Sequence, residues 1–244
     1  MTISVILPVL DEADIINGAV GRLRSQHTNG PLEIIVVDGD PGGGTISAVE
    51  DRGVRTITAE RGRAPQMNAG AALARGEVLL FLHADTRLPA NAFRKIREAL
   101  AAGDCIAGCF DLGIDSARSI FRLTEKYVAL RTRLTRVPFG DQAIFIRRGP
   151  FLGMGGYREI PIMEDVELMA RLKDRGAALA IIPEKVSTSA RRWEKEGIFC
   201  STARNWALQL CYAWGVRPER LAQWYQPNPN KPAPNPPRSH EDAK

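Results

Sequence analysis

The 244-residue chain lacks most of the features that assign a protein quickly. Its four cysteines, Cys105, Cys109, Cys200 and Cys211, form no CxxC pair, and its three histidines stand at no zinc-finger spacing, so no zinc site is expected. A chain of this length buries a core without covalent staples, and the thiols are expected to be reduced, as in a cytoplasmic protein. No apolar run approaches the roughly 18 residues that announce a spanning helix. The opening "MTISVILPVLDEAD" has no basic leader and reads as a strand, not a signal peptide. There is no internal repeat. Gly42, Gly43 and Gly44 make neither GxGxxG nor a Walker loop, which sets aside dinucleotide-binding and P-loop readings.

What is present is an alternation of buried strands and helices. "ISVILPV", "LEIIVVD", "VRTITA" and "EVLLFLH" are strand-like, and the segments between them carry helical spacing. Nearly continuous apolar strands separated by helices predict an α/β fold whose mostly parallel sheet is covered on both faces. Such sheets bind ligands beyond the carboxyl ends of their strands. Asp11 and Glu12, Asp38, and Asp85 fall at those ends. The second half is predicted to hold a strand over 105–114, a helix over 116–136, a strand in "DQAIFIRR", a glycine-rich turn in "GPFLGMGGY", a helix from "EDVEL", a short strand "ALAIIP" and a late apolar helix. Residues 1–225 are expected to form one domain, with a nucleotide-binding half to about residue 100. Residues 226–244, with six prolines in 19 residues, are expected to be disordered.

The formal net charge of +5 suits anionic partners such as phosphates or lipid headgroups, and no nucleic-acid motif accompanies it. In the helix over 116–136, Arg118, Arg122, Lys126, Arg133 and Arg136 share an arc of roughly 80°. Ile120, Leu123, Tyr127, Leu130 and Leu134 lie opposite, with Arg131 misplaced among them. Two readings stand: a helix with its apolar side in the core and a solvated basic face, or a basic amphipathic helix in peripheral contact with a membrane.

The segments "VILPVLDE", "EIIVVDGDPGGGT", "RGRAPQMNAGAALARGEVLLFLHADT", "DQAIFIRR" and "MEDVEL" together cover about residues 2–190. In this order they resemble family 2 glycosyltransferases of the GT-A fold. "RGRAPQMNAGA" with "FLHADT" and "ARRWEKEG" is similar to a bacterial subgroup labelled arsenosugar-biosynthesis glycosyltransferases. The resemblance implies an inverting transfer of a sugar from a nucleotide-diphosphate sugar to an acceptor hydroxyl, assisted by Mg²⁺ or Mn²⁺. The acceptor is open between a small molecule and a lipid.

The resemblance also implies roles for residues. His83-Ala84-Asp85 occupies the place of a DxD metal motif, with Asp85 as the retained ligand; Asp85 can instead be a turn or cap residue. Pro8, Asp11, Glu12, Asp38, Arg61, Arg63, Asn68 and Ala84 fall at positions for the nucleotide-sugar. Asp38 can equally make an Asx turn, and Asp11 and Glu12 can be helix-start acids. Glu164-Asp165 matches an acid pair in which Asp165 is the general base, although both also suit a first helical turn. Gln142, Arg192 and Trp193 are expected on the acceptor or diphosphate side. The rivals are a nucleotidyltransferase of similar layout, disfavoured by the acidic, glycine-free loop after the first strand, and a non-catalytic nucleotide-sugar-binding module.

Overall fold

A computed structural model describes residues 1–26, 30–103, 105–190 and 198–225. By its contacts the chain divides into two compact units, Met1–Arg191 and Arg192–Lys244. In the first, strands β1 (Ile3–Val9), β2 (Leu32–Asp38), β3 (Arg55–Thr58), β4 (Val78–Phe81), β5 (Cys105–Asp115), β6 (Phe145–Arg147) and β7 (Ala178–Ser189) form one sheet of order β3-β2-β1-β4-β6-β5-β7. β6 runs antiparallel to both neighbours, and the other pairings are parallel. The mixed but mostly parallel α/β architecture is the one the sequence pattern predicts.

The helices are α1 (Ala13–Ser25), α2 (Gly44–Ser47), α3 (Arg63–Leu73), α4 (Ala92–Ala101), α5 (Ser119–Thr135), α6 (Arg148–Gly153) and α7 (Glu164–Asp174). α1 buries Ile16, Ala19, Val20 and Leu23, the i, i+3, i+4, i+7 set of an amphipathic helix. All seven residues of β1 are buried, which requires cover on both faces of the sheet. On one face Ile6, Ile35, Val37 and Leu79 join Met67 of α3, Phe151 of α6 and Leu168 of α7 in a single cluster. The alternate residues Val5, Leu7, Ile34 and Val36 are buried on the other. α3 lies close to the sheet because Gly70 faces it: a Cβ there would sit 2.5 Å from Ile6 Cγ2.

Three expectations change. β7 runs to Ser189, well past "ALAIIP", because it follows β5 along its length through two register shifts. The segment read as a glycine-rich turn begins as helix α6 and turns only at Gly155 and Gly156, both with positive φ. α5 is not packed by its leucines. It buries Phe121, Glu125 and Thr132, while Leu123, Leu130 and Leu134 are exposed. Helical periodicity locates an apolar stripe without saying which way it points.

The second unit holds α8 (Ile198–Ala213) and α9 (Pro218–Trp224), packed on one another, with the Arg204 guanidinium 5.1 Å from the centre of the Tyr225 ring. Pro218 opens α9, where its missing N–H costs nothing. Among the described residues no helix is long and apolar enough to cross a membrane. Cys105, Cys109 and Cys211 are free thiols.

Candidate functional site

The chain winds from β1 outward to β2 and β3, then returns to place β4 on the other side of β1. Strand order therefore reverses between β1 and β4, and the crevice beyond their carboxyl ends is where such sheets take ligands. Asp11 follows β1 and Asp85 follows β4, and both are exposed. Asp11 has a left-handed backbone, φ 54°, an uncommon conformation for a residue other than glycine. Glu12 precedes α1 without a side-chain cap hydrogen bond; its N–H donates to Thr45 Oγ1 at 3.1 Å, tying the two loops together. Glu12 thus holds the N-cap position of α1 through its carbonyl and not its side chain.

Asp38 departs from its expected ligand-facing place. It is fully buried, and both oxygens are taken up by backbone N–H groups: Oδ1 accepts from Asp40 at 3.0 Å, and Oδ2 from Thr45 at 2.8 Å and Ile46 at 3.2 Å. The carboxylate shapes the 39–46 loop rather than presenting an oxygen to the crevice. Gln66, which sequence reasoning missed, performs a similar task. Its Nε2 donates to the carbonyls of Val9 (2.7 Å) and Val37 (2.8 Å), joining the ends of β1 and β2. Its signal was a polar residue on the buried side of a small-residue helix.

Asn68 is also spent internally. Its amide both donates to Tyr157 O (2.9 Å) and accepts from Tyr157 N–H (2.8 Å). This clamp requires Gly156, with φ 72°, because a Cβ there would lie 2.5 Å from Asn68 Oδ1. Tyr157 then packs with Phe81 and Phe151, ring centres 5.0–5.4 Å apart, as a floor beneath the site.

Above that floor lies a small space of about 10 Å³, lined by Pro8, Arg63, Phe81, His83, Gly140, Tyr157, Glu164 and Asp165 among others. It has room for about one water. β1, β4, α3 and α7 each supply part of it, so residues far apart in sequence converge. Glu164 and Asp165 open α7, where the helix N-terminus favours negative charge. Asp165 Oδ2 accepts from Gly140 N–H at 2.8 Å, and Oδ1 from Val166 N–H at 2.7 Å. Burial, and then the Asp165 charge, push the Glu164 carboxyl up to about 7 against the pull of Arg63. Burial, and then Arg63, push the His83 imidazole down to about 3, so it is neutral at physiological pH.

Two further groups crowd this corner. Burial pushes the Asp141 carboxyl up to about 6, and Arg131 opposes that shift. Asp141 Oδ1 and Arg131 Nε are buried with no hydrogen-bond partner among the described residues. Arg131 reaches inward from α5, stacks 3.5 Å over the Phe139 ring and donates to Gln142 Oε1 at 3.1 Å. Its signal was its misplaced position among apolar residues on the helical wheel.

Gln142, expected near an acceptor or diphosphate, is instead fully buried. Oε1 also accepts from Thr132 Oγ1 and Phe139 N–H, both at 3.1 Å, and Nε2 donates to Phe110 O at 3.1 Å. It is a packing hub because four surrounding groups satisfy its amide. Arg61 and Arg63 are both exposed, and Arg63 opens α3 beside the crevice. Ala84 is buried, and its carbonyl accepts from Arg22 Nη2 at 3.3 Å. Arg192 and Trp193 lie outside the described residues. A larger cavity of about 390 Å³ lies at the amino ends of β5 and β7, near Arg136 and Lys173, and no carboxylate lines it.

Among the described residues no group of three or more His, Cys, Asp or Glu side chains is arranged to hold a metal. Asp85 nonetheless fits a different kind of cation site. It is an exposed carboxylate whose Oδ1 meets Thr86 Oγ1 at a loose 3.4 Å, and Mg²⁺ or Mn²⁺ often takes one protein carboxylate plus ligand phosphates.

The family model for Glycosyl transferase family 2 matches residues 4–154. No curated protein matches the chain. Among solved structures, S. aureus TarS in complex with UDP-GlcNAc is similar at a TM-score of 0.60 and 16% identity, over 78% of this chain and 58% of that one. The mannosyltransferase PcManGT from Pyrobaculum calidifontis, in complex with GDP-Man and Mn²⁺, is similar at 0.57 and 22% identity, over 77% and 56%. The chain thus matches little more than half the length of these two proteins, and at such identities the likeness is one of fold.

Proposed function

The chain belongs to glycosyl transferase family 2, and from that premise we propose that it moves a sugar from a nucleoside-diphosphate sugar to an acceptor hydroxyl with inversion. The observation that carries this reading is an exposed carboxylate, Asp85, following β4 at the β1/β4 crevice, together with an acid pair, Glu164-Asp165, that lines one small space with Pro8 of β1, Arg63 and, two residues before Asp85, His83. The nucleotide-sugar complexes of TarS and PcManGT, and the Mn²⁺ of the latter, support the choice of donor and metal. The strings "RGRAPQMNAGA" and "FLHADT" support a place in the arsenosugar-biosynthesis subgroup.

In this reading the acceptor oxygen attacks the anomeric carbon as the bond from that carbon to the diphosphate breaks. The acceptor proton passes to the Asp165 carboxylate, and a single displacement inverts the anomeric centre. The hydrogen bond from Gly140 N–H orients Asp165. Arg131 places positive charge near both Asp141 and Asp165. Glu164, its pKa raised to about 7, carries less negative charge near neutral pH than an ordinary carboxylate and so limits repulsion beside that base. Arg63 and Arg61 meet the donor diphosphate, where a guanidinium fork suits phosphate oxygens. Asp11 and Glu12 face the nucleoside, while Asp38, Asn68 and Gln142 hold loops in place. Asp85 would hold Mg²⁺ or Mn²⁺, which, when bound, offsets the charge that builds on the departing diphosphate.

The test is release of UDP or GDP from nucleotide sugars with Mn²⁺, after EDTA, and in Asp85→Ala. Turnover is expected to need the metal and to fall about 100-fold in the variant. Metal-independent turnover, or full activity of Asp85→Ala, overturns the metal assignment. Failure of every nucleotide sugar to bind or turn over removes the transferase reading itself.

A further inference from the structure

α5 is mounted with its apolar residues outward. The side toward the protein carries Phe121, Glu125 and Thr132, all buried. The charge of Glu125 is tolerated there because its oxygens are taken up: Oε1 accepts from Ile114 N–H at 2.8 Å and pairs with Arg122 at 2.9 Å, and Oε2 pairs with Lys185 at 2.7 Å. About 180° round the helix, Leu123, Leu130 and Leu134 fall within about 40° of one another. They are 64%, 58% and 75% exposed. Arg122, Lys126 and Arg133 border this stripe along one flank. Arg133 is held by Asp111 and Arg122 by Glu125, while Lys126 makes no ion pair among the described residues. Glu125 is the sole acid of α5 and is buried, so among the described residues the outer face carries the leucines and, in Lys126, a cation without an ion-pair partner.

We propose that this face docks on an anionic lipid bilayer. The three leucines would enter the boundary between headgroups and acyl chains, and Lys126, with Arg122 and Arg133, would lie among the lipid phosphates. Charge decides between this occupant and a second copy of the chain. An antiparallel two-fold pairing through the stripe would set each basic flank beside its twin with no acid of α5 between them. An anionic surface meets both the apolar stripe and the cations. The second unit, considered by itself, presents a stripe of the same kind. Trp206 and Leu210 of α8 and Trp214 just past its end follow at intervals of four and are 44%, 56% and 83% exposed, and tryptophan is enriched at the membrane–water interface. The proposal concerns a surface and does not depend on the transferase reading.

The experiment is flotation of the full chain with vesicles of phosphatidylcholine alone or with about one third phosphatidylglycerol, at low salt. The protein is expected to float with the anionic vesicles and to remain behind with the neutral ones. A Leu123→Gln/Leu130→Gln/Leu134→Gln variant is expected to lose about tenfold in partitioning with its melting temperature unchanged. Lys126→Glu, or about 0.5 M salt, should weaken binding to a lesser degree. The proposal is overturned if the wild type stays in the aqueous fraction, or if the triple variant floats as well as the wild type. It is equally overturned if the triple variant melts several degrees lower or abolishes a concentration-dependent dimer, since either result would mean that protein, not lipid, covers the leucines.

Discussion

Two acidic regions meet at the crevice, and they are built in opposite ways. The acids that follow β1 and β4, Asp11 and Asp85, are exposed carboxylates on loops. Those at the far side, Asp141 and Glu164, are enclosed and are pushed up to about 6 and about 7 by burial. An exposed carboxylate is open to an arriving partner, which suits a charged ligand such as a metal diphosphate. An enclosed one lies within a factor of ten or so of half-protonation at neutral pH, which suits handling protons. In the proposed reading, charge binding falls to the exposed wall and proton transfer to the enclosed one, where Asp165 lies beside Glu164.

Breaking the proton-handling wall is expected to have the largest effect. Asp165→Asn keeps the shape and the acceptor for Gly140 N–H but cannot take a proton. Turnover should fall about 1,000-fold, close to 4 kcal/mol of barrier, with donor affinity little changed. Single-turnover kinetics alongside donor titration would separate the two. A variant that instead loses donor affinity and keeps its chemical step would move Asp165 to the charge-binding wall.

Asp38 sharpens the comparison, because it lies at a strand end like Asp11 yet is buried like Glu164. With three backbone N–H groups depending on it, Asp38→Ala should cost about 3 kcal/mol of stability, measurable by denaturant unfolding. Asp38→Asn should recover part of that, since its amide oxygen still accepts. A variant of normal stability that merely binds donor weakly would show instead that Asp38 faces the ligand.

These distinctions also mark how far the sequence could be read. The sheet was legible because β1, β2 and β4 are unbroken apolar runs between helical segments, and the strand ends pointed to one edge. The "EDVEL" segment was legible as a helix start, and its acids do open α7. Hydrogen-bond direction was not legible. Asp11 and Asp38 look alike in sequence, but the turn through Thr45 and Ile46 closes over one of them. Gln142 looked available and is enclosed because Thr132 and Arg131 arrive from a helix whose facing the sequence left open between two readings. Asp141 sat unremarked inside a quoted motif, since its burial depends on Arg131 and α7 closing around it.

The smallest expected effect, and the most direct measure of enclosure, is on pH dependence. Glu164 has an ordinary value of 4.5 and is pushed up to about 7 in the fold. Between these values the folded chain holds a proton that the unfolded chain has released. Its contribution is therefore fully present below about 4.5 and is lost as pH rises through about 7. Asp141 acts in the same direction over a lower window, from 3.8 to about 6. Glu164→Gln removes one titration and leaves the other, with Asp165 and Arg63 still facing the site. The stability of the variant relative to wild type should improve by on the order of 2 kcal/mol between pH 5 and pH 8, read from unfolding curves at each pH. An unchanged difference across that range would place Glu164 among the freely ionised acids and remove the contrast between the two walls.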